Sequence, residues 1–88
     1  MIKRILKIQN KYGLHARPAA LLVKTTGKFH AHINIAKDGI VANGKSIMGL
    51  MTLVAESGSE IEVIVDGEDE EEAMKAIQQL IESGFNEA

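Results

Sequence analysis

The chain contains no cysteine and no tryptophan, a single proline, one tyrosine and two phenylalanines. Without cysteine neither a disulfide framework nor a thiolate metal site can hold the fold, and with so few aromatic rings the core must be aliphatic. No run approaches the roughly 20 apolar residues needed to cross a bilayer. The N-terminal stretch Met1-Ile2-Lys3-Arg4-Ile5-Leu6-Lys7-Ile8 is interrupted by Lys7, Gln9, Asn10 and Lys11 before an apolar secretory core can form, so a cytoplasmic protein with no membrane insertion is expected. There is also no excess of positive charge. A net charge of −2 argues against nucleic acid as the main partner, because a phosphate backbone rewards clustered Lys and Arg. What remains is ordinary for a globular protein: 88 residues, 45% apolar and 25% charged, enough for one domain spanning 1–88 and not for two.

The hydrophobic pattern supplies an element order. Residues 2–8 alternate, with Ile2, Leu6 and Ile8 on one side and Arg4 interrupting it, as in a strand. From Arg17 to about Gly27, Ala19, Leu22, Val23 and Thr26 recur at helical spacing, with Pro18 in the first turn and Gly27 as the stop. Ala31, Ile33 and Ile35 alternate with His30, His32 and Asn34. Asp38-Gly39 then predicts a two-residue hairpin into Ile40-Val41-Ala42, and Asn43-Gly44 turns the chain out of the sheet. Ser46 can cap a short helix running to about Leu53. Ile61, Val63 and Val65 mark the next strand, ended by Asp66-Gly67. Asp69 with Glu72 has the spacing of a capping box before a helix whose Ala73, Ile77, Leu80 and Ile81 share one face as far as Gly84. The order β-α-β-β-α-β-α implies an α+β fold, a four-stranded, mostly antiparallel sheet with three helices on one face.

Chemistry concentrates at Gly13-Leu14-His15-Ala16-Arg17-Pro18-Ala19. A histidine just before a helix presents its ring where the unpaired amides of the first turn and the positive end of the dipole favour an anion, with phosphate the natural ligand. The amides of Ala16 and Arg17 can point at a group carried on His15, and the Arg17 guanidinium can add charge-assisted hydrogen bonds. To act as a nucleophile the attacking ring nitrogen must be deprotonated. On chemistry alone a second reading stands beside this one: a polar histidine and a surface arginine in a strand-to-helix loop.

This segment resembles the active-site signature of HPr, the histidine phosphocarrier of the bacterial sugar phosphotransferase system. Lys45-Ser46-Ile47-Met48-Gly49-Leu50-Met51 resembles the second signature of that family, in the same register, and the resemblance covers essentially the whole chain. It implies the open-faced β-sandwich fold. It also implies that His15 accepts a phosphoryl group on Nδ1 from enzyme I and passes it to the IIA domains of sugar-specific enzymes II, with Arg17 as its electrostatic partner. Such a protein is a cosubstrate rather than a stand-alone catalyst, and no cofactor is expected. A monomer is expected.

On helical geometry Leu50, Leu53 and Val54 share one side of the second helix, and Ile47, Met48 and Met51 the other. If the first set faces the sheet, the second is left as an apolar patch of the kind that marks docking sites; the pattern alone equally permits both sides to be buried. The resemblance favours docking, with Ala20 and Lys24 of the first helix contributing beside His15. Ser46 is a plain N-cap by position. The resemblance adds regulatory phosphorylation by an HPr kinase/phosphorylase and, through it, contact with a transcriptional regulator. Gly44 stands where the family more often has Ala or Leu, which predicts a looser turn and less certain recognition by the kinase.

His30 and His32, on one strand face, lack the further Cys or carboxylate ligands of a metal site, so no metal is expected. The Glu68-Asp69-Glu70-Glu71-Glu72 run reads as a solvated helix start and not a calcium loop. Two alternatives remain. The ending Glu82-Ser83-Gly84-Phe85-Asn86 is similar to the nitrogen-related branch of the family, whereas the second signature is similar to sugar-system carriers. A regulatory binding module acting through the Ser46 face is the other, although relatives of that type carry Gln where this chain has His15.

Overall fold

The computed structural model describes residues 1–86. Its strands are β1 (Ile2–Lys7), β2 (His32–Lys37), β3 (Ile40–Asn43) and β4 (Glu60–Asp66), and its helices α1 (Ala16–Thr26), α2 (Ile47–Met51) and α3 (Glu70–Glu82), with a 3₁₀ turn at Gly84–Asn86. The sheet order is β1-β4-β2-β3. Every neighbouring pair is antiparallel, not merely most of them: Arg4 faces Val63, Val63 faces Ile35, and Ile35 faces Ala42 across the four strands. The helices pack over one face of this sheet, the face that carries Leu6, Ile33, Ile35, Ile61, Val63 and Val65, giving the expected α+β open-faced sandwich.

The period-two pattern explains the burial. Ile61, Val63 and Val65 of β4 and Ile33 and Ile35 of β2 are buried, as is Leu6 of β1, and from the helices Leu22, Leu50, Met74, Ile77 and Ile81 close over them. Arg4, which interrupts the apolar side of β1, lies on the edge strand, where its guanidinium reaches out to donate to Gln78 Oε1 of α3 at 2.6 Å. A long stem covering apolar surface with its charged end at the rim lets an arginine occupy such a position. Phe85, at the C-terminal turn, is buried and adds the largest side chain to the core. No helix among the described residues is long and apolar enough to cross a membrane.

Three local expectations are corrected. Asp69 precedes α3 but makes no side-chain cap: its carboxylate accepts the N–H groups of His30 (2.8 Å) and Ala31 (2.9 Å) instead, tying α3 to the chain entering β2. The turn at Gly44 is tight and not loose. Gly44 is buried, its N–H donates to the Ile33 carbonyl at 2.7 Å, and an added Cβ would lie 2.5 Å from Ile33 Cγ2. Helix α2 ends at Met51 rather than near Leu53. Val54, placed by periodicity beside Leu50 and Leu53, lies beyond the helix and is 66% exposed.

Candidate functional site

The segment leading into α1 is built by close approach. Gly13 has φ +71, and a Cβ there would overlap the carbonyl oxygen of Ala55 and lie 2.9 Å from Glu56 Cα, so only glycine fits. The next N–H, that of Leu14, donates to the same Ala55 carbonyl at 2.8 Å, and the buried Asn10 donates its side-chain amide to Gly13 O at 2.6 Å. Leu14 itself is buried. These contacts anchor the residue before His15 to the segment that follows α2.

His15 is the N-cap of α1, with extended φ −85 and ψ −171; its carbonyl accepts the N–H of Ala19 at 2.9 Å, while its side chain does not cap the helix. The amides of Ala16 and Arg17 therefore precede the first intrahelical bond, and Pro18 has no N–H to leave over. No acidic residue stands in the first turn. Half-buried His15 packs edge to face with Tyr12, ring centroids 6.3 Å apart at 83°, and the Lys11 ammonium lies 5.3 Å from the Tyr12 ring centre. Arg17 is exposed and makes no hydrogen bond or ion pair with another described residue. A positive helix end with two oriented amides and an exposed guanidinium can orient an anionic group carried on the neighbouring ring; each such contact is worth about 0.3–1 kcal/mol at an exposed site.

Ser46 is the N-cap of α2, and its Oγ accepts the N–H of Gly49 at 3.0 Å. Gly49 leaves the room this needs, since a Cβ there would stand 3.2 Å from that oxygen. Ile47, Met48 and Met51 are all exposed, Met48 most at 80%. Ala20 and Lys24 are exposed on α1, one turn apart, and α1 packs on α2, so the two helices present adjoining surfaces. Thr26, fully buried, joins them below: its hydroxyl reaches the Gly44 carbonyl at 2.8 Å, linking the end of α1 to the turn before Ser46.

His15 and Met51 meet at a shallow depression of about 230 Å³ that Tyr12, Leu14 and Val54 also line. Tyr12 is not singled out in the sequence, and Val54 stands there only as a sheet-facing position of the second helix, not as a site residue. Larger depressions lie elsewhere, among them one between β1 and α3 around Arg4 and Lys75 and another on the open sheet face near Ile5 and Val41. His30 and His32 are exposed, and no group of three or more potential metal ligands occurs among the described residues.

Residues 2–83 match the family described as the PTS HPr component phosphorylation site. The phosphocarrier protein HPr of Xylella fastidiosa is 47% identical over 87 residues, covering 99% of this chain and 98% of that protein. The HPr-like protein Crh of Halalkalibacterium halodurans is 49% identical over 82 residues, covering 93% and 98%. In three dimensions the chain is similar to the crystal structure of HPr-C-His from Thermoanaerobacter tengcongensis, with a TM-score of 0.96 and 49% identity over 100% of this chain and 99% of that one.

Proposed function

The chain belongs to the HPr family of phosphotransferase-system phosphocarriers, and from that premise we propose that His15 is the residue that carries the phosphoryl group, taking it from phospho-enzyme I in the cytoplasm and giving it to the IIA domains of sugar-specific enzymes II. The observation that carries this reading is the position of His15 at the N-cap of an eleven-residue helix, with Ala16 and Arg17 supplying the first amides and no acidic residue opposing them. In the transfer, the lone pair of His15 Nδ1 attacks phosphorus as the nitrogen–phosphorus bond of the donor histidine breaks, and the donor nitrogen keeps that electron pair. The chain's own part is to orient and partly neutralise the moving group through the helix amides and the Arg17 guanidinium. Modest contacts suit a carrier, which must release the group as readily as it accepts it.

Incubation with enzyme I and phosphoenolpyruvate, followed by mass spectrometry under alkaline conditions where phosphohistidine persists, tests the assignment. The parent protein should gain one phosphoryl group and His15→Ala, still folded, none. A gain surviving in the variant removes His15 from the role.

A regulatory function through Ser46 is the second reading, favoured by the similarity to the HPr-like protein Crh and by the N-cap geometry of Ser46. Phosphorylation there by an HPr kinase/phosphorylase, and recognition of the modified face by a transcriptional regulator, are compatible with His15 transfer in one molecule. Retention of His15 favours the carrier as the primary activity.

A further inference from the structure

Val54 combines three features that rarely coincide. It is a β-branched residue at φ +49, in the left-handed region such side chains avoid. Its side chain is 66% exposed, outside the core, so packing does not offset the backbone cost. It lines the depression that holds His15, with Met51 and Leu14. Its N–H closes the end of α2 by donating to the Met51 carbonyl at 3.3 Å, a role any residue but proline fills. Folding alone would be served better by glycine at this position, and strain kept at a site is a pointer to function.

We propose that Val54 is a contact residue for enzyme I, the phosphoryl donor, and extends the apolar surface of Met51 to the edge of His15. The inference rests on the reading of His15 as phosphoryl acceptor, and the occupant follows from the reaction. Transfer requires the donor phosphorus to come within about 3–3.5 Å of the His15 nitrogen, so the donor's surface must close over the depression that Val54 shares with His15. An apolar rim there withdraws hydrocarbon from water on docking and keeps water from the labile nitrogen–phosphorus bond.

Two substitutions separate strain from contact. Val54→Gly relieves the backbone and removes the side chain; Val54→Thr keeps the branch and the backbone strain while replacing a methyl by a hydroxyl. The glycine variant should melt about 5 °C higher than the parent, yet show a KM for phospho-enzyme I raised about tenfold, equivalent to about 1.4 kcal/mol, with kcat unchanged. The threonine variant should melt close to the parent and show a smaller rise in KM. Parental KM in both variants overturns the proposal, as does a fall in kcat without a change in KM. Calorimetric titration of enzyme I into the unphosphorylated protein decides Val54 independently of transfer. If the parent takes no phosphoryl group but its binding is weakened by Val54→Gly, the carrier reading fails and Val54 stands. If binding is equal in all three proteins, Val54 falls whatever His15 does.

Discussion

The carbonyl oxygen of Ala55 accepts the Leu14 N–H at 2.8 Å and occupies the space in which a Cβ on Gly13 would lie. One oxygen thus fixes both the height of the loop before His15 and the identity of the residue at its bend. Gly13→Ala must move the 55–56 backbone or the histidine loop, and must also hold alanine at a positive φ. The cost should be about 1–3 kcal/mol in chemical denaturation. Transfer to His15 should slow as well, because the ring is displaced relative to the amides of Ala16 and Arg17. Denaturation midpoints and phosphorylation rates equal to the parent would show that the close approach is slack.

Much of this arrangement was legible in the sequence because its signals are local. The alternation of Ile61, Val63 and Val65, the Asp38-Gly39 hairpin and the Ser46 cap each specify geometry within a few residues, and each lies where the pattern put it. The misreadings share a different cause. Asp69 has the spacing of a capping box, but its carboxylate finds two donors 38 and 39 residues away. Val54 continues the apolar period of Leu50 and Leu53 only if the helix continues, and Thr52 already ends it. At Gly44 a small residue suggested slack, when the smallness is demanded by Ile33 across the sheet edge. Candidate site residues near His15 followed the same rule: His15 and Arg17 are marked by their neighbours in the chain, Tyr12 meets the His15 ring from three residues away without any motif to mark it, and Val54 joins the site only through the approach of the 52–56 segment.

Arg17 is exposed on the first turn of α1 and bonded to no described residue. Arg17→Ala should therefore leave stability within about 0.5 kcal/mol of the parent while slowing phosphoryl transfer, since it removes a charge-assisted donor from the group on His15. Lysine should restore part of the rate, supplying charge without the planar fork. Rapid-quench transfer assays beside thermal melts will show it; equal rates for arginine and lysine would mean that bidentate geometry plays no part.

Asp69 gives the protein a defined acid response. The N–H of His30 foremost, and that of Ala31 with it, hold its carboxyl below the ordinary carboxylate range, against an opposing effect of burial. A lowered folded pKa means that the unfolded chain binds the proton more readily, so this stabilisation is complete above the unfolded value of about 3.9 and is lost as pH falls through the folded one. Asp69→Asn should lower the melting temperature at neutral pH, and the difference from the parent should shrink on acidification through that window. A difference constant from neutral to strongly acid pH would assign the effect of the substitution to packing rather than charge.

Ser46 joins the stability of α2 to the surface it presents. Its Oγ accepts the Gly49 N–H at 3.0 Å, so Ser46→Ala should cost about 0.5–2 kcal/mol, whereas Ser46→Asp keeps an acceptor at a helix start that favours negative charge and should melt near the parent. Phosphoserine, with about −1.5 to −2 charges, should be tolerated by the fold for the same reason. The effect should fall on docking. Ile47 and Met48 follow Ser46 directly and are exposed, with Met51 one turn on, and an apolar partner surface closing over them would have to desolvate the anion or meet it with opposite charge. Phosphoserine should thus raise the KM of enzyme I for this protein with little change in kcat, and Ser46→Asp should do so more weakly, having less charge and fewer acceptor oxygens. Because the penalty is partly electrostatic between groups at a rim, added salt should reduce it. Steady-state phosphorylation of His15 at varied carrier concentration and ionic strength separates the two parameters; unchanged KM in both modified forms leaves Ser46 with its capping role alone.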